Sequence, residues 1–217
     1  MKKYPKIDTI YKRDPTTKHK TLLMGEYSRP EFEYLQNNKW IFTEKVDGTN
    51  VRIDWDKDEM SLPIGVVRYK GRTEDAQMPT FLLDRLQDLF PVSKFREIYP
   101  EISMTLYGEG YGAKIQKGGG NYKADGVDFV LFDVLIDDVW LERPNVEDIA
   151  LKLGVDIVPI VAEGTLHDAI ILTSKGFNSA WGEFVAEGLV LRPQVEILTR
   201  RGQRIITKIK HKDFKNG

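Results

Sequence analysis

The sequence predicts an α+β fold with mostly antiparallel sheets. Three observations carry that prediction. Runs rich in Val, Ile, Phe and Tyr, bounded by Gly or Asp, dominate the first half and the end of the chain. Helical spacing is confined to a few segments inserted between them. No regular β-α-β alternation connects the two kinds of segment, which argues against a doubly wound parallel sheet. Short strands that return to polar residues suggest two sheets with a groove between them.

In chain order, a short helix is expected over Pro30–Gln36, then strands over Trp40–Lys45, Thr49–Trp55 and Gly65–Tyr69. The first two are expected to form a hairpin, with Asp47-Gly48 as its turn, because Asp-Gly suits the backbone of a tight reversal. Met78–Phe90 carries apolar residues at helical spacing and ends before Pro91. Strands follow over Ser103–Glu109 and Val127–Ile136. Asn145–Leu153 reads as a helix capped by Asn145, with Asp148 three residues on and Gly154 as its stop. Thr165–Lys175 repeats that design with Asp168 and Gly176. Glu187–Leu191 and Ile205–Ile209 complete the strands.

The 217 residues are 41% hydrophobic and 30% charged, an ordinary globular composition. With no cysteine there is no disulfide framework, thiolate metal site or thiol nucleophile. The opening MKKYPKIDT is basic but lacks the apolar stretch of a signal peptide. No apolar run has the length of a membrane span. The expectation is a soluble, cytoplasmic monomer with no membrane partner. A net charge of −1 excludes a protein that coats nucleic acid globally. Locally the balance shifts: Lys12, Arg13, Lys18, His19 and Lys20 form one basic stretch, and Arg200, Arg201, Arg204, Lys208, Lys210, Lys212 and Lys215 another. Phosphate recognition needs a local positive field, not a high overall charge. Either run alone reads equally well as a solvated face.

Five places break the apolar rule of buried strands, and such breaks tend to mark function. They are Lys45 with Asp47 and Asn50 nearby, Lys70-Gly71-Arg72-Thr73, Glu109 among glycines in Tyr107–Gly112, Glu187 opening an apolar strand, and the alternating pair Lys208-Ile209-Lys210. Singly, each has a bland reading: a turn, a bulge or a solvated edge strand. Together they are cations and carboxylates at strand ends, with glycine beside most of them, where a backbone can approach a ligand closely. Arg72, Lys208 and Lys210 could hold a polyphosphate and offset charge developing on it. Glu109 and Glu187 could accept sugar hydroxyls or hold a divalent cation with its waters. Burial and neighbouring cations would favour Lys45 as a free amine, and a free amine facing a phosphate is a nucleophile. The chemistry this set points to is covalent nucleotidyl transfer.

Lys45-Val46-Asp47-Gly48 resembles the Lys-x-Asp-Gly nucleophile motif of the covalent nucleotidyltransferase superfamily, which contains ATP-dependent DNA ligases, RNA ligases and mRNA capping enzymes. The ending Thr49-Asn50 and the segment from Tyr107 to Lys117 resemble the phage-like RNA ligase 2 type. Motifs run in the superfamily's order from residue 45 to residue 210. The resemblance implies a nucleotidyltransferase (ATP-grasp-like) domain whose sheets form a nucleotide groove with flanking helices. It implies that Lys45 bonds AMP and that the Thr43 and Glu44 backbone lies against adenine. Asn50 and Arg72 would contact ribose or phosphates, Glu109 a ribose hydroxyl, and Phe132 the adenine ring. Glu187 would position Mg²⁺ or Mn²⁺, and Lys208 and Lys210 would hold the phosphates.

The implied activity is ATP-dependent RNA ligation, in which a 3′-hydroxyl and a 5′-phosphate end of a nucleic acid are joined through lysyl-AMP and an adenylylated 5′ end. A capping-type guanylyltransferase, a DNA ligase catalytic core and a nucleotide- or RNA-binding module that has kept the fold remain alternatives. The sequence ends seven residues after Lys210, so the expectation is one adenylyltransferase domain over 1–217, without a C-terminal OB-fold or helical domain.

Overall fold

Strand-forming runs and inserted helices assemble as follows in the computed structural model, which describes residues 3–58, 65–73 and 76–215. The N-terminal part contains β1 (Asp8–Thr9), β2 (Tyr11–Arg13), β3 (Leu22–Tyr27), α1 (Pro30–Tyr34), β4 (Trp40–Glu44), β5 (Thr49–Asp56) and β6 (Val66–Gly71). Next come α2 (Thr80–Leu89), α3 (Val92–Ile98), β7 (Met104–Gly112), α4 (Gly119–Tyr122), β8 (Val127–Ile136), β9 (Val139–Trp140) and α5 (Arg143–Leu153). The chain then forms β10 (Asp156–Ile157), β11 (Ile160–Gly164), α6 (Leu166–Lys175), β12 (Gly188–Pro193) and β13 (Thr207–Lys210). The α+β expectation holds, and all seven expected strands are present.

Two compact units result. The first comprises the residues up to Pro5 and Asp47–Val158. Its sheet runs β10-β8-β7-β5-β6, with β9 paired to β8. Only the β10–β8 pair is parallel. Alternation in the strands sends Val51, Ile53, Trp55, Leu106, Phe129 and Leu131 into one core, where Leu82 and Leu86 of α2 and Val146 and Ile149 of α5 meet them. Each such side chain contributes about 1.5–3 kcal/mol through burial. The opposite face is polar and aromatic. Arg52 pairs with Asp54 at 3.1 Å, Thr105 donates to Asp54 at 3.0 Å, and Tyr4 donates to Asp133 at 2.5 Å.

The second unit comprises Lys6–Val46 and the residues from Pro159 on. Its sheet runs β1-β13-β12-β4-β11, with β1 parallel to β13 and the other pairs antiparallel. A separate ribbon pairs β2 with β3. Trp40, Phe42, Leu189, Leu191 and Ile209 face a core closed by Phe32 of α1 and Leu166 and Ala169 of α6. The cap expected at Thr165 is present, and with Asp168 it forms a reciprocal capping box.

Two expectations are corrected. Trp40–Lys45 and Thr49–Trp55 do not form a hairpin: β4 pairs with β12 and β11, while β5 pairs with β6 and β7. Lys45–Gly48 is a crossing from one sheet to the other. The Asp-Gly pair permits a sharp turn but does not choose the partner strand. Asn145 does not cap α5. The helix begins after Glu142, with Pro144 in its first turn, where the missing N–H and fixed φ of proline cost nothing.

Candidate active site

The site begins with three adjacent strands whose ends carry charge. In the second unit β12 lies between β4 and β13, with Val190 opposite Thr43 on one side and Lys208 on the other. One step along, Gly188 pairs with Lys210, and its carbonyl accepts from the Lys45 N–H at 2.9 Å. Strand alternation therefore puts Thr43, Lys45, Lys208 and Lys210 on one sheet face, while Phe42, Leu189 and Ile209 fill the core behind it. Between Lys45 and Lys210 that face carries only Gly188. A Cβ there would lie 2.1 Å from the Ile209 carbonyl oxygen and 2.7 Å from the Lys210 Cα. Only glycine allows β12 and β13 this approach, and the missing side chain leaves room over the strand.

Glu187, immediately before β12, reaches both lysines. Its Oε2 lies 2.6 Å from Lys45 Nζ and its Oε1 2.5 Å from Lys210 Nζ. The carboxylate side chain is 12% exposed and each lysine 20%. Burial alone would raise the Glu187 pKa, but the charges and hydrogen bonds of Lys45 and Lys210 outweigh it and hold the group below its ordinary value of 4.5. Lys45 also donates to the Val46 carbonyl at 3.3 Å. The anticipated cationic neighbourhood of Lys45 is therefore real but bridged: Lys210 reaches it through a shared carboxylate.

Glu44 serves a different purpose from Glu187. It is 2% exposed, and its carboxylate accepts from Ser179 Oγ at 2.6 Å and from the Ala180 N–H at 2.8 Å. Burial raises its pKa against these two hydrogen bonds. Its own N–H donates to the Pro159 carbonyl at 3.0 Å. Glu44 thus anchors the turn at 179–180 to the end of β4. Thr43 is buried and donates to the Val190 carbonyl at 3.2 Å.

The first unit carries the other expected residues. Asn50 in β5 stands opposite Glu109 in β7, and Asn50 Oδ1 is buried with no hydrogen-bond partner among the described residues. A buried acceptor without a donor calls for an explanation, and a ligand hydroxyl would supply one. Phe132 occupies a β-bulge: Tyr107 pairs with Asp133 and Gly108 with Leu131, so Phe132 is the extra residue. Its ring meets Tyr4 edge-on at 5.0 Å, on the face opposite the core. Arg72 is exposed just after β6. The Asp-Gly of the Lys-x-Asp-Gly motif is held by the segment after β7. Tyr122 Oη receives the Asp47 N–H at 3.2 Å, and Gln116 donates to the Gly48 carbonyl at 3.1 Å. A Cβ on Gly48 would lie 2.3 Å from the Gly110 carbonyl oxygen and 2.8 Å from Glu109 Cγ.

A family model described as RNA ligase matches residues 38–210, from just before β4 to the end of β13. The chain belongs to the RNA ligase family. Solved structures agree in fold. A Naegleria gruberi RNA ligase with PPi matches with a TM-score of 0.66 at 18% identity, covering 99% of this chain and 59% of that one. A variant of that enzyme with ATP and Mn matches with a TM-score of 0.66 at 18% identity, covering 97% and 56%. Another, with AMP and Mn, gives 0.66 at 17% identity, covering 99% and 60%. The chain therefore spans less than two-thirds of the length of these relatives. A search of curated proteins gives no match.

In this RNA ligase family member the structure brings Lys45, Glu187, Lys208, Lys210 and Thr43 together on one sheet, and Asn50, Glu109 and Phe132 on the other. Sequence reasoning passed over Arg192. It lies on the same face of β12 as Val190, opposite Ile41, and the signal was its even spacing from Gly188 and Val190. Sequence reasoning also noted Arg13, His19 and Lys20 without placing them beside Lys208. No helix among the described residues is long and apolar enough to cross a membrane.

Proposed function

We propose that the protein is an ATP-dependent RNA ligase that forms a covalent AMP adduct on Lys45. The observation that carries this reading is the sharing of Glu187 between Lys45 and Lys210, across the gap left by Gly188. A phosphoryl group over that gap would meet an amine on one side and ammonium groups on the other.

Lys45 Nζ attacks the α-phosphorus of ATP, and pyrophosphate leaves. Glu187 orients the amine. Its two lysines hold its pKa below the ordinary 4.5; the proton that Lys45 gives up goes to solvent. Lys208 and Lys210 offset the charge that builds on the phosphate oxygens, and in-line placement supplies much of the rate. AMP then passes to the 5′-phosphate of an RNA, and the 3′-hydroxyl displaces it.

Asn50, Glu109 and Arg72 are assigned to the sugar and phosphates and Phe132 to the adenine, supported by the partnerless Asn50 Oδ1 and by the position of Phe132 at a bulge. Thr43 is assigned to the floor beneath the nucleotide, and Glu44 to holding the turn beside it.

Among the described residues no cluster of three or more acidic or histidine side chains could cage a metal. A lone carboxylate fits Mg²⁺ or Mn²⁺ held mainly by phosphate oxygens and water. We assign that role to Glu187; a bound cation would neutralise phosphate charge.

The test is ligation of RNA with a 3′-hydroxyl and a 5′-phosphate, with ATP and GTP supplied separately. Sealing with ATP, and sealing of pre-adenylylated RNA without nucleotide, is the expected result. Label entering the protein from GTP but not ATP would overturn it.

A further inference from the structure

His211 follows β13 and opens a short 3₁₀ turn over His211–Phe214. Its main chain carries the β12–β13 ladder one step further. Lys210 pairs with Gly188, and the His211 N–H then donates to the Glu187 carbonyl at 2.9 Å. Its ring leaves the sheet for the end of α6, where Nδ1 lies 2.9 Å from the Thr173 carbonyl oxygen. Glu187 is thus bonded, through its main chain, to a residue whose side chain is seated on a helix.

A carbonyl oxygen only accepts, so Nδ1 is the ring nitrogen that carries the proton in this contact. Thr173 stands in the last turn of α6, where carbonyls lack intrahelical donors and carry the negative end of the helix dipole. It is fully buried, and its carbonyl also accepts from the Gly176 N–H at 3.2 Å. The niche for the ring depends on Gly176, which has a φ of 79°. A Cβ there would lie 3.1 Å from His211 Cε1 and 3.3 Å from Val185 Cγ1. The ring is therefore held between the end of α6 and the segment that leads into Glu187.

What the ring fixes is the frame of the shared carboxylate. Glu187 reaches Lys45 and Lys210 at 2.6 and 2.5 Å, so both contacts change if the main chain moves at 187 or 210. The Lys45 N–H bond to the Gly188 carbonyl, at 2.9 Å, and the Lys210 N–H bond to Asp213 Oδ2, at 3.2 Å, hold the same frame within the sheet and the turn. His211 ties it to a helix. That tie falls where it is needed, because β12 starts at Gly188 and β13 ends at Lys210, which leaves Glu187 just outside the strands. A displacement of about 1 Å at a reacting group can cost about 100-fold in rate.

Resting on the function proposed above, we infer that His211 is a positioning residue for adenylyl transfer: its imidazole, docked on the C-terminal end of α6, fixes Glu187 and Lys210, and through Glu187 the Lys45 amine. The ring takes no part in bond making. While Lys45 attacks the α-phosphorus and pyrophosphate leaves, Nδ1 keeps its proton and its bond to Thr173. The device needs one hydrogen-bond donor at the Nδ1 position, and that requirement makes it testable.

The test uses the full chain and three variants. His211→Asn places an amide N–H near the Nδ1 position, His211→Gln carries it further out, and His211→Ala removes it. The rate of lysyl-AMP formation is measured in a single turnover at saturating ATP, per folded molecule and well below each thermal midpoint. The alanine and glutamine variants are expected to lose about 10- to 100-fold, and the asparagine variant to stay within about threefold of wild type. A merely structural role would lower the thermal midpoint and leave this rate unchanged. Alanine and glutamine variants within about twofold of wild type overturn the inference, and so does an asparagine variant as slow as the glutamine one. The Lys45 and Lys210 ammonium signals of the ligand-free protein, followed by NMR, separate this inference from the function it rests on. Signals that shift in the alanine and glutamine variants and persist in the asparagine one support the seating of the Glu187–Lys210 pair by His211, even if wild type forms no lysyl-AMP and the proposed function fails. A wild type that forms the adduct, with all three variants keeping both signals and the full rate, refutes the positioning role alone.

Discussion

Replacing Glu187 by glutamine tests the shared carboxylate. The change keeps the shape of the side chain and removes its charge. Glu187 is 12% exposed and holds two ammonium groups at 2.6 and 2.5 Å. Breaking a fully buried pair costs about 3–5 kcal/mol, and an exposed pair about 0–1. Two contacts with lysines that are one-fifth exposed lie between those limits, at about 2–3 kcal/mol. For a chain of this size the midpoint of thermal unfolding should fall by about 4–12 °C.

The loss has a pH signature. The folded pKa of Glu187 lies below its ordinary value of 4.5, because its two lysines outweigh the effect of burial. Its stabilisation is therefore complete above pH 4.5 and is lost as pH falls through the folded value. Thermal midpoints of wild type and Glu187→Gln, measured in steps from pH 7 to pH 3, should differ fully at pH 7 and converge in acid. A variant as stable as wild type at pH 7, or a gap that persists unchanged below pH 4, would refute the reasoning.

Three further outcomes are expected. Glu44 has a folded pKa raised by burial, so ionising it should weaken the fold as pH rises through the interval above 4.5. Glu44→Gln, which can still accept from Ala180 and donate to Ser179, should flatten the dependence of the thermal midpoint between pH 4 and pH 8; a steeper fall at high pH would contradict this. Gly188→Ala places a Cβ 2.1 Å from the Ile209 carbonyl oxygen and should force β12 and β13 apart, at about 1–3 kcal/mol. AMP adduct yield should drop far more than circular-dichroism signal, and an unchanged yield would remove Gly188 from the account. Asn50→Ala removes a buried acceptor that has no partner, so it should leave thermal stability nearly unchanged while raising the ATP concentration that half-saturates adduct formation. Unaltered ATP dependence would show that Oδ1 meets no ligand.

The sequence made the strands legible where Val, Ile, Phe and Tyr ran together between Gly and Asp, as in Val127–Ile136, and the α6 boundary legible where Thr165 and Asp168 formed a capping box. It concealed short or interrupted elements. β11 follows Pro159, and α3 starts immediately after Pro91, which reads as a stop for α2 and also acts as the start of the next helix. It misled at Asp47-Gly48, because local turn chemistry is blind to which distant strand completes a sheet. The site shows the same division. Lys45, Glu187 and Lys210 were legible as charges at strand ends, but their common carboxylate depends on the order β13-β12-β4, which no local pattern encodes. Arg13 pairs with Asp213, 200 residues away, and only the folded chain shows that the two basic stretches meet.

The central claim is that Lys45 is the atom-level acceptor of AMP. The most direct measurement is to incubate the protein with α-labelled ATP and a divalent cation, denature it, digest it and map the label by mass spectrometry. The account predicts AMP on the peptide containing Lys45, bonded to its Nζ, and no adduct in Lys45→Ala. AMP on another residue, or an adduct that survives the substitution, would contradict it.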